Sequence, residues 1–318
     1  MKFLKALAST LTACALLFAS SVALAAYPTK PVTLVSPYGP GGAADLAART
    51  IAATAPSYLG NAVLVVNRTG AAGVTGSTTV VKGPKDGYSL LLSRVGSQAA
   101  VPAINRTIPY EWDEYTFLGL LELNPFVLTV PADSPYHSLD DIKAAIEGGE
   151  KLSYASAGVG TLLHVAMVMV LDEFGMGADA MKHVPYKGGG KAAAAVIGGH
   201  VDMLFQNLSG VISNIRAGKA RALVVSTPER VDTIPDVPTA TEAGYPGLGN
   251  VVGWSGVWGP PGMDQEAADK WVEVLDKLKT DKAWNKLTKG LGSIPSIRNP
   301  EDTKAFVQGQ YQAFKTLT

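Results

Sequence analysis

Short β-branched runs along the chain alternate with segments whose apolar positions recur at helical spacing. Residues 32–35, 62–66 and 89–92 read as buried strands. Between the first two, Ala47, Ala48, Ile51, Ala52, Ala55 and Tyr58 predict a helix over 45–58. The same rhythm restarts after Pro131, with helices over 139–146, 161–174 and 191–197 and strands over 152–156, 183–185, 202–205 and 220–226. The helix at 161–174 is apolar on nearly every face, which predicts a buried position. From Gln265 onward the pattern turns amphipathic, and Ala268, Trp271, Val272, Leu275 and Leu278 form one stripe. Strand, helix, strand in succession implies an α/β fold with mostly parallel sheets flanked by helices.

Two extended apolar segments, 118–130 and 252–258, lie about 120 residues apart and read as two crossings between halves of the molecule. The expected organisation is one domain from 27–126 plus 255–318 and a second from 127–254, joined by a two-strand hinge. A chain of this length is at the size where one hydrophobic core tends to divide.

The N-terminal 26 residues stand apart. Lys2 and Lys5 precede an apolar stretch from Leu7 to Leu24, and Ala23-Leu24-Ala25 is a small-x-small cleavage sequence. This reads as an export signal cut after Ala25 or Ala26, which makes the mature protein periplasmic. A retained anchor would need a longer and less Ser- and Thr-rich span. Cys14 follows Leu11-Thr12-Ala13 as a lipid acceptor would, but the apolar run continues through Phe18, so no lipid is expected. With the signal gone the only cysteine is gone, which excludes disulfides and thiolate chemistry. The signal carries two lysines and no acid, so 27 basic and 27 acidic residues become 25 and 27. A net charge near −2 argues against nucleic acid as a partner.

The informative chemistry sits where strands end. Ser36-Pro37-Tyr38-Gly39-Pro40-Gly41-Gly42-Ala43-Ala44-Asp45 joins a strand to a helix, and its glycines let backbone amides approach a ligand. The first amides of a helix lack internal partners and sit at the positive end of its dipole, so such a turn can cradle an anion. Asp45 could cap that helix or orient the loop. The pattern recurs at Asn67-Arg68-Thr69-Gly70-Ala71-Ala72-Gly73, at Ser156-Ala157-Gly158-Val159-Gly160-Thr161 and at Tyr186-Lys187-Gly188-Gly189-Gly190. Four such turns suggest a cleft lined by helix N-termini from two sides.

Catalytic and cofactor motifs are missing. No phosphate loop and no strand-following G-x-G-x-x-G exists, and Gly253-Trp254-Ser255-Gly256 lacks the last glycine of a nucleophile elbow. His137, His164, His183 and His200 lack metal-ligand spacing; His164, one turn into a helix behind a glycine turn, is the one placed near a site. No cofactor and no metal are expected.

Taken together, these turns resemble the Bug-type solute receptors of tripartite tricarboxylate transporters. The ordered marks include Tyr27-Pro28-Thr29-Lys30-Pro31-Val32, Pro37-Tyr38-Gly39-Pro40-Gly41-Gly42, Asp86-Gly87-Tyr88 and Ser156-Ala157-Gly158-Val159-Gly160-Thr161 with His164. Val184-Pro185-Tyr186-Lys187-Gly188, Gly198-Gly199-His200-Val201-Asp202, Pro235-Asp236-Val237-Pro238-Thr239 and Trp254-Ser255-Gly256 extend them toward the C-terminus. The resemblance implies a two-lobed periplasmic-binding fold of the second type that holds a carboxylate between its lobes. Carried onto this chain, it points to Tyr38, Gly41, Gly42, Ala43 and Asp45 on one side and Ser156, Gly158, Thr161, Gln206 and Asn207 on the other. The chain departs from the family at Gly39-Pro40, and at Ser93-Arg94-Val95-Gly96-Ser97, where an arginine stands in place of small polar residues. Arg94 and Ser97 join the candidates. Arg94 is open to two readings, pairing with a nearby acid or a bidentate clamp on a ligand carboxylate.

The expected function is a monomeric receptor that captures a small organic acid and delivers it to the membrane permease subunits of a transporter. A sensor feeding a membrane kinase would use the same residues; a secreted hydrolase would need catalytic groups that the motifs do not provide.

Overall fold

The computed structural model describes residues 26–315. The expected signal sequence, Cys14 and the cleavage site after Ala25 lie outside the described residues. The chain opens with β1 (Val32–Ser36), α1 (Ala43–Thr54), the short α2 (Pro56–Leu59), β2 (Val63–Asn67), α3 (Val74–Val81) and β3 (Ser89–Arg94). The single helix expected over 45–58 is two, because Pro56 has no N–H to donate to Ala52 and the hydrogen-bond ladder breaks there. A π-helical turn (Gly96–Ala100) runs into α4 (Val101–Ile104), and the 16-residue strand β4 (Thr116–Pro131) follows.

The next stretch contains α5 (Leu139–Glu147), β5 (Ser153–Ser156), α6 (Leu162–Glu173), β6 (Lys182–Pro185), α7 (Gly189–Ile197), β7 (Leu204–Asn207), α8 (Ile212–Arg216) and β8 (Ala220–Val225). The chain returns through β9 (Val252–Gly259), α9 (Gln265–Leu278), α10 (Lys282–Gly290), β10 (Ile294–Arg298) and α11 (Pro300–Lys315). β7 is displaced by two residues from its expected place. Its ladder to β4 pairs Phe126 with Asn207 and Thr129 with Leu204, which puts Gln206 and Asn207 at the end of a strand.

The expected parallel pairing holds for β2-β1-β3 and for β5-β6. Strands β4 and β9 run antiparallel to their neighbours, and β4 changes partners along its length. Thr116 to Pro125 pair with β9, whereas Phe126 to Pro131 pair with β7 and β8.

Two apolar clusters flank this crossing. One packs α1, β1, α9 and α10 around Trp271 and Trp284; the other gathers β4, α6, α7, β7 and β8 around Phe126, Phe205 and Trp254. On α9 the buried stripe contains Val274 where Val272 was expected, and Val272 is half-buried, because the stripe follows 3.6 residues per turn from Trp271. α6 buries Leu162, Leu163, Ala166, Met167, Val170 and Leu171 but leaves Val168 and Met169 half-buried, so its apolar surface is not wholly enclosed.

Candidate functional site

The loop between β1 and α1 is held by Asp45. Its Oδ2 accepts from the Gly41 amide at 3.0 Å and from Arg49 Nε at 2.9 Å, and its Oδ1 accepts from Asn67 Nδ2 at 3.0 Å. Burial alone would push this carboxyl up, but the hydrogen bonds from Arg49, Gly41 and Asn67 outweigh it and hold it below the ordinary carboxylate range. Asp45 therefore orients the loop. The Gly41 amide is committed to Asp45, and glycine suits this position because its φ of +75° is left-handed, where a side chain would be strained.

The glycines of this loop also meet backbone from elsewhere. A Cβ on Gly39 would lie 2.5 Å from the Lys187 carbonyl oxygen, and one on Gly190 would lie 2.6 Å from that of Pro40. Segments 39–42 and 187–190 thus close on each other backbone to backbone, leaving an inner cavity and an outer groove. The inner cavity has a volume of about 40 Å³.

Three helices begin at this inner cavity, and none has a side-chain cap. Gly42 precedes α1, Thr161 precedes α6 and Gly188 precedes α7. Thr161 Oγ1 turns back to donate to the Gly158 carbonyl at 2.7 Å, so it does not serve the amides of α6. Ala43, Ala44, Leu162, Leu163 and Gly189 line the cavity with the first residues of these helices. Converging positive helix ends favour a negative charge between them.

Strand ends supply the rest of the wall. Arg94, Ser255 and Glu122 form a row across β3, β9 and β4, since Ser255 is the register partner of both Arg94 and Glu122. Arg94 donates to Ser255 Oγ at 2.5 Å and to Asn207 Oδ1 at 2.9 Å, with Glu122 Oε1 3.7 Å away. Ser255 Oγ donates to the same Glu122 oxygen at 2.9 Å. Arg94 is paired with a buried acid, as one of its two readings expected, and it also lines the cavity with Gln206 and Asn207. Burial lowers its pKa, opposed by Glu122.

Of the sequence candidates, Tyr38, Gly42, Ala43, Arg94, Thr161, Gln206 and Asn207 line the inner cavity. Tyr38 donates to the Ala72 carbonyl at 3.0 Å, and burial pushes its phenol up to about 12. Gly41, Asp45, Ser97, Ser156, Gly158 and His164 do not line it. Ser97 is buried in the π-helical turn, and its carbonyl accepts from Tyr110 Oη at 2.7 Å. Gly158 faces the outer groove, about 480 Å³, together with Lys187 and Tyr186. Ser156 Oγ is 2.7 Å from His183 Nε2, and His164 stacks on His183 with ring centroids 4.1 Å apart. Burial and the neighbouring His164 lower His183 to about 4. His164 Nδ1 accepts from the Gly160 amide at 3.2 Å, so the stacked pair of rings contacts the 156–161 loop at both ends. Ala44, Val95, Gly96, Ala157, Leu162, Leu163 and Gly189 line the cavity without having been selected as site residues; the turn at 186–190 held the signal for Gly189, and the 93–97 segment drew attention to Arg94 and Ser97 but not to Val95 and Gly96 between them.

A family profile described as tripartite tricarboxylate transporter family receptor matches residues 47–318. The chain belongs to this receptor family. The periplasmic binding protein BugD superposes on this receptor with a TM-score of 0.85 at 30% identity, covering 92% of this chain and 97% of BugD. MatC from Rhodopseudomonas palustris, solved with bound malate, superposes with a TM-score of 0.83 at 28% identity over 91% of this chain and 99% of its own. A second R. palustris protein, solved with adipate, gives 0.85 at 26% identity over 91% and 96%. The receptor therefore has the periplasmic-binding-protein fold. Among the described residues no helix is long and apolar enough to cross a membrane, and no cluster of three or more His, Cys, Asp or Glu could hold a metal.

Proposed function

We propose that this receptor binds a small carboxylate in the periplasm and presents it to transporter permease subunits, acting as a monomer and performing no catalysis. The observation that carries this reading is the convergence of three helix N-termini without side-chain caps on one buried cavity. The carboxylates in the similar solved structures, malate and adipate, support the ligand class.

The amides of Ala43, Ala44, Leu162, Leu163 and Gly189 are the proposed carboxylate donors, with Tyr38, Gly42, Thr161, Gln206 and Asn207 completing the wall. Gly41, Asp45, Ser97, Ser156, Gly158 and His164 shape the loops. The lobes are 27–126 with 255–318 and 127–254, and they hinge where β4 exchanges β9 for β7 and β8. An inner cavity of about 40 Å³ holds only a few waters, so ligand exchange requires the seam between 39–42 and 187–190 to part. The signal is cut after Ala25 or Ala26.

A thermal-shift screen of mono-, di- and tricarboxylates, with neutral sugars as controls, tests the reading. A bound carboxylate at 100 times its Kd should stabilise the protein by about 2.7 kcal/mol. Stabilisation by sugars and by no carboxylate would contradict it.

A further inference from the structure

We propose that Arg94, Gln206 and Asn207 form a second polar subsite in the inner cavity that selects a diacid over the monoacid of equal length. The proposal rests on the carboxylate reading above and adds the feature that sets specificity.

The helix amides provide one anion site; the strand ends provide a different kind of donor in the same cavity. Arg94 is only 4% exposed, yet its two hydrogen-bond acceptors, Ser255 Oγ and Asn207 Oδ1, are both neutral. Its carboxylate partner Glu122 is 3.7 Å away and is itself engaged by Ser255 Oγ. A guanidinium has five N–H donors, and these contacts use two of them. Beside it, Gln206 is 2% exposed and lines the cavity, and its Nε2 has no hydrogen-bond partner among the described residues. A buried amide nitrogen without an acceptor is costly, and a loosely paired buried cation even more so. Both are satisfied at once by an acceptor with two oxygens.

The subsite is also rigid. Arg94, Ser255 and Glu122 are fixed by the registers of three adjacent strands. Asn207 donates from Nδ2 to the Asn124 carbonyl at 3.3 Å, which turns its Oδ1 toward Arg94. A carboxylate arriving here meets a preset guanidinium fork, which suits its planar geometry. A monoacid whose single charge sits on the helix amides leaves the fork and Gln206 unanswered when the cavity closes.

Titration calorimetry of the mature protein with adipate against hexanoate, and malate against 3-hydroxybutanoate, provides the test. Arg94→Gln keeps a polar side chain but removes the charge; the double variant Arg94→Gln with Glu122→Gln removes the acid left behind; Gln206→Leu removes the amide alone. The wild type should prefer a diacid over its matched monoacid by roughly 30-fold or more, consistent with a buried charge-assisted pair. Arg94→Gln and the double variant should cut that ratio to about 3-fold by weakening the diacid alone, and Gln206→Leu should lower it by a smaller factor. Equal weakening of both acids in the folded variants would make Arg94 a positioning residue acting through Ser255 and Asn207, and would overturn the subsite. A wild type that binds monoacids and diacids alike would overturn it without any variant. A wild type that binds no carboxylate would instead overturn the carboxylate reading itself.

Discussion

Helices in this receptor begin in two ways. α5, α9, α10 and α11 open on side chains that accept from their first amides: Ser138 from Asp141 N, Asp264 from Glu266 N, Asp281 from Trp284 N and Asn299 from Asp302 N. α1, α6 and α7 open on Gly42, Thr161 and Gly188 and have no such cap. α3, after Gly73, is likewise uncapped, and its preceding turn lines the outer groove. A capped helix has its N-terminal donors satisfied within the chain, while an uncapped one offers them to something else. α2, α4 and α8 also lack a side-chain cap, but each continues closely from a preceding helical turn; among the other helices, the three that converge on the inner cavity are uncapped. These helix starts at the inner cavity forgo the stability that a cap would add.

The sharpest way to break this contrast is to give α6 an internal anion. Thr161 already has the extended backbone of a cap (φ −73°, ψ 159°), so Thr161→Asp places a carboxylate at the amides without straining the chain. Two carboxylates cannot share the site, and affinity for the bound acid should fall by roughly 100-fold or more, read by calorimetry. Retained affinity would mean that the amides of α6 do not hold the ligand.

A smaller effect is expected where the two glycine segments meet. Gly190→Ala brings a Cβ within 2.6 Å of the Pro40 carbonyl oxygen and 2.8 Å of the Gly41 carbonyl carbon. The seam cannot close over such a contact, so affinity should drop about 10-fold, and small-angle scattering should show less compaction on ligand addition. Normal compaction would make the seam a passive contact.

The smallest effect belongs to the capped set. Ser138→Ala removes one half of the capping box on α5 and should cost about 1 kcal/mol of stability while leaving ligand affinity unchanged. Together with Thr161→Asp, it separates a cap that stabilises the fold from a helix start reserved for the ligand.

Much of this arrangement was legible in the chain. The strand and helix rhythm located most elements because their faces are buried against one another, and the glycine turns pointed to the helix starts because few residues tolerate φ above zero. Asp45, Ser156 and His164 were selected as candidates, and Asp45, Ser156 Oγ and His164 Nδ1 all make hydrogen bonds within the loops; spacing does not disclose which partner a side chain reaches. Arg94 shows the limit more clearly. Its partner Ser255 lies 161 residues away, and Glu122 meets it only because β9 inserts between β3 and β4. Strand order of that kind depends on which faces pack, and no local pattern records it. The meeting of Gly39 with Lys187 is hidden for the same reason, as it depends on how β1 and β6 are placed in the fold.

The central claim is that uncapped helix amides hold the carboxylate. Amide chemical shifts of the isotope-labelled protein, titrated with adipate or malate, test it residue by residue. Hydrogen bonding to a carboxylate should move the amide protons of Ala43, Ala44, Leu162, Leu163 and Gly189 downfield, while those of Asp141, Glu266, Ala267 and Trp284, already held by side-chain caps, stay in place. Shifts that spare the first group, with binding intact, would contradict the account.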